Sequence, residues 1–201
     1  MKANLLYLLI ASLAFSACNN NSNSNSAANS NTDTSQMTTK PDVTSTPPVD
    51  TTQPAMASIA DSTFLDKAYN IGVFEIKIAR LAEKKSQNGK VKDLAQMMIS
   101  DHTAMGKDVT ALMKKKNYDL PAGLPDDLKA TYDELNGLSG KDFDKEYVNV
   151  NVKGHKDAIE MFKGVSNNSK DDDVKKLATD ALPKLQMHES HSLEVQNTLN
   201  M

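Results

Sequence analysis

From Asp61 to the end of the chain, apolar residues return every three to four positions, and no alternating run of Val, Thr or Tyr interrupts that period. A 3.6-residue period buries one face of a helix, so this region reads as all-α. Four long stripes stand out. The first, over about 61–87, carries Phe64, Ala68, Ile71, Glu75, Ile78 and Ala82 and stops at Asn88-Gly89, a pair suited to a left-handed cap. The second, over about 90–116, carries Val91, Ala95, Met98, His102, Met105, Val109 and Leu112. The third, over about 140–166, carries Phe143, Tyr147, Val150, Gly154, Ala158, Phe162 and Val165, with His155 on its edge. The fourth reaches about Leu199 with Val174, Ala178, Ala181, Leu185, His188, Ser192 and Val195 inward and Pro183 inside it.

The breaks between stripes set the topology. Asn88-Gly89 and Asn167-Asn168-Ser169 leave room only for tight turns, so stripes one and two form one antiparallel hairpin and stripes three and four another. Ser169 is placed to cap the last helix, with Asp171, Asp172 and Asp173 in its first turn, where the macrodipole favours negative charge. Ser139 is placed the same way before the third helix. Between the hairpins, DLPAGLPDD at 119–127 breaks the chain before a short helix of about 126–136. Two hairpins joined by one long connection that contains a short helix is the plan of a ferritin-like four-helix bundle. A simple up-down bundle with a folded-back loop is the alternative.

Upstream of position 61 the period disappears. Residues 19–60 are almost entirely Asn, Ser, Thr, Gln, Ala and Pro, too polar to offset the entropy of ordering, and read as a disordered stalk. Residues 1–17 have a lysine, an apolar run too short to span a bilayer, and then small residues, which is the layout of a secretory signal. Phe15-Ser16-Ala17-Cys18 resembles a bacterial lipobox and marks Cys18 as the lipidated mature N-terminus. The expected organisation is a signal peptide over 1–17, a lipid-bearing Cys18 with its stalk over 18–60, and a four-helix domain over 61–201, held in the bacterial envelope, most simply at the outer membrane.

Composition then removes whole classes. With no Trp, five Phe and five Tyr in 201 residues, the core must be mostly aliphatic, Met and Ala. A formal charge of −3 and a single arginine, Arg80, leave no basic stripe for nucleic acid. One cysteine excludes an in-chain disulfide and a Cys-based zinc knuckle. There is no Gly-rich phosphate loop, hence no nucleotide or flavin signal, and no nucleophile-elbow serine.

What remains is one polar interruption in each stripe: Glu75, His102, His155 and His188. Buried ionisable groups must find partners or a metal. Glu75 and His102 lie about 13 and 14 residues from their turn and should be level. His155 and His188, about 13 and 20 residues from a turn centred near 168, should miss each other by roughly 10 Å. Ferritin-type Glu-x-x-His pairs are missing, because Ile99, Val152 and Leu185 stand three residues before the buried histidines. HESHS at 188–192 is one residue short of the zincin H-E-x-x-H, with Ser192 where the second ligand belongs. Three imidazoles and a carboxylate suit one divalent transition metal, zinc or iron before copper. Asp101 and His191 are supporting partners in that reading.

The stretches FLDKAYNIGVFEIKIARLAEKKSQNGKVKDLAQMMISDH (64–102), FDKEYVNVNVKGHKDAI (143–159) and LPKLQMHESH (182–191) resemble a bacterial family known as domain of unknown function 4142. The resemblance spans about 61–195 and rests on Glu75, Asp101-His102, Gly154-His155 and Leu182-Pro183 followed by His188. It implies an exported, often lipidated, ferritin-like bundle, and it supplies no activity. The expected role is a non-enzymatic binding or stress-associated module that meets another envelope protein. A metal buffer or mononuclear oxidoreductase is the alternative.

Overall fold

A computed structural model describes residues 59–199 of the chain. The signal peptide, Cys18 and nearly all of the stalk lie outside the described residues. Five helices follow in order: α1 (Asp61–Lys85), α2 (Gly89–Lys115), α3 (Asp126–Gly137), α4 (Gly140–Asn168) and α5 (Asp172–Thr198). The described residues contain no strand.

Two hairpins, α1–α2 and α4–α5, pack side by side, with α1 against α4 and α2 against α5. The chain leaves α2 at the end of the bundle where α1 begins. There Lys115 meets Asp173 at 2.7 Å, Lys116 pairs with Asp171, and Ser169 Oγ donates to Asp61 Oδ1 at 2.9 Å. It must enter α4 at the opposite end, where Lys85 Nζ donates to the carbonyls of Asn136 and Leu138 at 2.5 and 2.9 Å. The connection over 116–139 therefore runs the length of the bundle, and its helix α3 rests on α1 and α4. That crossover makes α2 and α4 parallel, which is the ferritin-like connectivity.

The caps differ in detail from the sequence expectation. Asn88-Gly89 does not end α1 in a left-handed turn, because Asn88 is extended (φ −83°) and Ser86 already closes α1. Asn88 instead starts α2, its Oδ1 accepting from the N–H groups of Lys90 and Val91 at 2.9 and 3.4 Å. The left-handed residue is Asn117 (φ 57°) after α2, where Tyr118 N–H bonds the Met113 carbonyl at 2.9 Å. Similarly Asp171, not Ser169, caps α5, accepting from the N–H groups of Asp173 and Val174. Ser139 makes no side-chain cap to α4. Replacing Asn88 with Ala should cost about 1 kcal/mol, seen as a lower urea midpoint at unchanged m-value. An unmoved midpoint means that water serves the freed amides equally well.

The apolar core comes in two parts. One, toward the Ser86–Asn88 turn, holds Phe74, Ile78, Leu94, Met98, Phe143 and Tyr147. The other, toward the α4–α5 turn, holds Phe64, Leu65, Leu112, Met113, Phe162 and Leu185, with Phe64 and Phe162 edge to face at 4.9 Å. Each such side chain contributes roughly 1.5–3 kcal/mol by leaving water. Between the two parts lies a polar layer. Pro183 is carried inside α5, which continues to Thr198.

Candidate metal centre

Each long helix delivers one member of that layer at mid-length: Glu75 from α1, His102 from α2, His155 from α4 and His188 from α5. Their exposures are 4%, 3%, 0% and 0%, so all four are desolvated. The predicted 10 Å mismatch between His155 and His188 is not observed. Helix α4 runs on to Asn168, which moves the turn centre to 170 and leaves the histidines 15 residues before it and 18 after. Glu75 and His102, about a turn centred at 87, lie 12 before and 15 after. Both hairpins carry the same three-residue offset, about 4.5 Å of rise, which the side chains span. Five members of the third stripe, Phe143, Tyr147, Ala158, Phe162 and Val165, are buried as predicted, but at its middle Asn151 (1% exposed) and His155 point inward in place of Val150 and Gly154, which are half-buried.

The contacts are close. His155 Nδ1 lies 2.9 Å from the Asn151 carbonyl and 3.5 Å from Glu75 Oε1. His155 Nε2 lies 3.2 Å from His188 Nδ1, and His188 Nε2 lies 2.9 Å from Asp101 Oδ2. His102 Nε2 and Glu75 Oε2 approach to 2.5 Å, yet neither is in hydrogen-bond alignment with any partner. One ring nitrogen from each of the three histidines falls within 4.8 Å of the others.

Counting protons along this chain of contacts shows what is missing. It begins at a carbonyl and ends at a carboxylate, and both only accept. Three contacts need three protons, whereas two neutral imidazoles bring two. Assigned from their partners, His155 Nδ1 donates to Asn151 and His188 Nε2 to Asp101, so two lone pairs face each other across 3.2 Å. Burial pushes the His188 pKa down to about 4, so this ring does not supply the missing proton at neutral pH. Nitrogens bound to one tetrahedral zinc at 2.0–2.1 Å sit about 3.3 Å apart, close to the spacing found here.

The two carboxylates of the layer are held ionised, as a cation requires, whereas His102 must give up a proton to ligate one. Burial opposes ionisation of Glu75, but the fields of His102 and His155 and the His102 contact outweigh it and lower its pKa to about 2. For His102 burial likewise opposes the charge, and Glu75 raises the pKa above the usual imidazole value. Asp101 is held below the carboxylate range, because hydrogen bonds from His188 and Lys184 (2.9 Å) outweigh its desolvation. It orients the His188 ring from behind, as carboxylates do for metal-bound imidazoles.

His191 stands apart from the other candidates. It is exposed, and its Nδ1 meets Met97 Sδ at 3.1 Å rather than any of the four inner groups. Two contributors were absent from the sequence reading. Asn151 lies one turn before His155 and fixes its tautomer, and its Nδ2 donates to the Tyr147 carbonyl at 2.7 Å. Lys184 lies one turn before His188 and holds Asp101. The i, i+4 spacing to a histidine was the available signal for both.

Solved structures of the same fold show the bundle elsewhere. CopM in its Ag-bound form is 20% identical, with a TM-score of 0.58 over 70% of this chain and 97% of CopM. A DUF305 fragment from Deinococcus radiodurans is 13% identical, with a TM-score of 0.62 over 72% of this chain and 99% of the fragment. A secreted DUF305 protein from Streptomyces coelicolor is 14% identical, with a TM-score of 0.57 over 71% and 95%. At such identities the likeness shows the helical-bundle fold alone. Comparison with curated proteins finds no match. A family profile, Domain of unknown function (DUF4142), matches residues 46–195, three of the four inner helices in full and α5 to within three residues of its end, so the chain belongs to the DUF4142 family.

Proposed function

We propose that the bundle is a mononuclear transition-metal site formed by Glu75, His102, His155 and His188, and that it buffers the ion in the cell envelope from a stalk anchored through Cys18. The observation that supports it is the His155–His188 contact, in which two ring nitrogens face each other across 3.2 Å with one proton too few. A bound cation fills that gap with His102 as the third nitrogen, and Glu75, which lies outside that converging set but against His102 and His155 and without an aligned partner, is the fourth donor we assign. The three histidines alone would leave a position open, as catalytic sites do; with Glu75 drawn in as the fourth donor the shell closes, and storage or buffering is the reading we take. Imidazole and carboxylate favour zinc or iron(II), and copper(II) also accepts imidazole. CopM is known in Ag-, Cu(I)- and Cu(II)-bound forms, so copper belongs in the test.

The test is elemental analysis of the full chain, purified without chelator and re-exposed in turn to Zn²⁺, Fe²⁺, Cu⁺ and Cu²⁺. One ion per chain is expected in the wild type and none in His102→Ala, with unchanged far-ultraviolet circular dichroism. A metal-free wild type makes the four residues a hydrogen-bonded core network and returns the function to recognition of an envelope protein.

A further inference from the structure

Two cavities approach the polar layer, and their charge separates them. The cavity of about 530 Å³ that reaches His102 is lined by three lysines and three aspartates, and is balanced. A groove of about 1100 Å³ reaches Glu75 from the other side, between α1 and α4 with α3 as its roof. Seven carboxylates and two lysines line it. Asp157 is paired with Lys153 and Glu160 with Lys163, but Asp66, Asp127, Glu134 and Glu146 make no ion pair among the described residues.

Gly154 lines this groove beside Glu75. A Cβ built there would lie in ordinary contact with Glu75 Oε1, at 3.7 Å, with no other atom within 4 Å, so a larger side chain at this position would lie against the carboxylate where it meets the groove. Glu75 is itself 4% exposed, and its Oε2 lacks an aligned partner. A buried anion at the bottom of an acidic funnel attracts cations and repels anions. We infer that the groove roofed by α3 is the entry path for the metal, with Gly154 as its aperture and Asp127, Glu134 and Glu146 as its steering charges. This rests on the metal site proposed above and adds the route by which that site fills. The path delivers hydrated divalent cations from solution, whose on-rate must then fall with ionic strength.

The test is stopped-flow mixing of zinc chloride with the full chain, followed by competition with a chromogenic zinc indicator. Relative to wild type, Gly154→Leu should slow association by about tenfold or more with the dissociation constant nearly unchanged, because entry and exit share the aperture. The triple variant Asp127→Asn, Glu134→Gln, Glu146→Gln should lose most of the ionic-strength dependence, and it carries the test alone if G154L does not fold. Ala104→Leu, on the wall of the balanced cavity, should bind zinc at the wild-type rate. Wild-type rates in both groove variants, or slowing in A104L instead, overturn the route and leave the site standing. Zinc binding by none of these proteins, wild type included, overturns the site and the route together.

Discussion

Saturating Zn²⁺ is expected to raise the melting temperature of the full chain by about 12–16 °C. A ligand that binds only the folded state stabilises it by about 4 kcal/mol at a thousand times its dissociation constant, and a folded region of this size converts each kcal/mol to about 3–4 °C. The unfolded chain cannot compete, because its four donors come from four separate helices and are 113 residues apart from first to last. His155→Ala should abolish the shift while leaving a cooperative transition, since the ring lies between two apolar clusters that do not depend on it. Scanning calorimetry with and without zinc measures both. A wild-type transition unmoved by any of the tested metals refutes the assignment, whereas an equal shift in the His155 variant relocates the ion elsewhere on the chain.

Without metal, the bundle should be most stable near pH 6.5. His188 is neutral in the fold, its pKa lowered by burial from 6.5 to about 4. As pH falls below 6.5 the unfolded chain takes up a proton that the folded one refuses, so stability is lost down to about pH 4, by roughly 3 kcal/mol over the window. Glu75, lowered from 4.5 to about 2, removes more below pH 4.5. His102 has the opposite sign: raised by Glu75 against its own desolvation, its contribution is complete below pH 6.5 and fades as pH rises through the folded value. Urea midpoints at pH 8, 6.5, 5 and 4 in the presence of chelator trace this dome. A profile flat from 6.5 to 4 shows that His188 is not held neutral.

The helices and the pairing of Glu75 with His102 were legible because a tight turn fixes register and the apolar period fixes the face. The His155–His188 contact was not. Asn167 and Asn168 look like turn residues, yet α4 continues through both, and a two-residue error in the turn centre became a false gap of several ångströms. The shift at the middle of the α4 face has a related cause: Gly154 and Val150 look more apolar than Asn151 and His155, but the polar pair is what faces the layer. The acidic groove was out of reach of any pattern, because its carboxylates come from α1, α3 and α4 and meet only once α3 lies across the bundle. Placement of a crossover helix depends on contacts such as that of Lys85 with the carbonyls of Asn136 and Leu138, which have no sequence period.

The layer also governs which alignment of the helices is allowed. A core of Ala, Val, Leu and Met tolerates sliding, since one aliphatic contact replaces another at similar cost. Here a slip of any helix by one turn moves its polar member about 5.4 Å, away from its partners and into an apolar cluster on one side or the other. A slipped register strands at least one of Glu75, His102, His155 and His188 away from the others. The residues proposed to hold an ion therefore also serve as an alignment mark for the bundle.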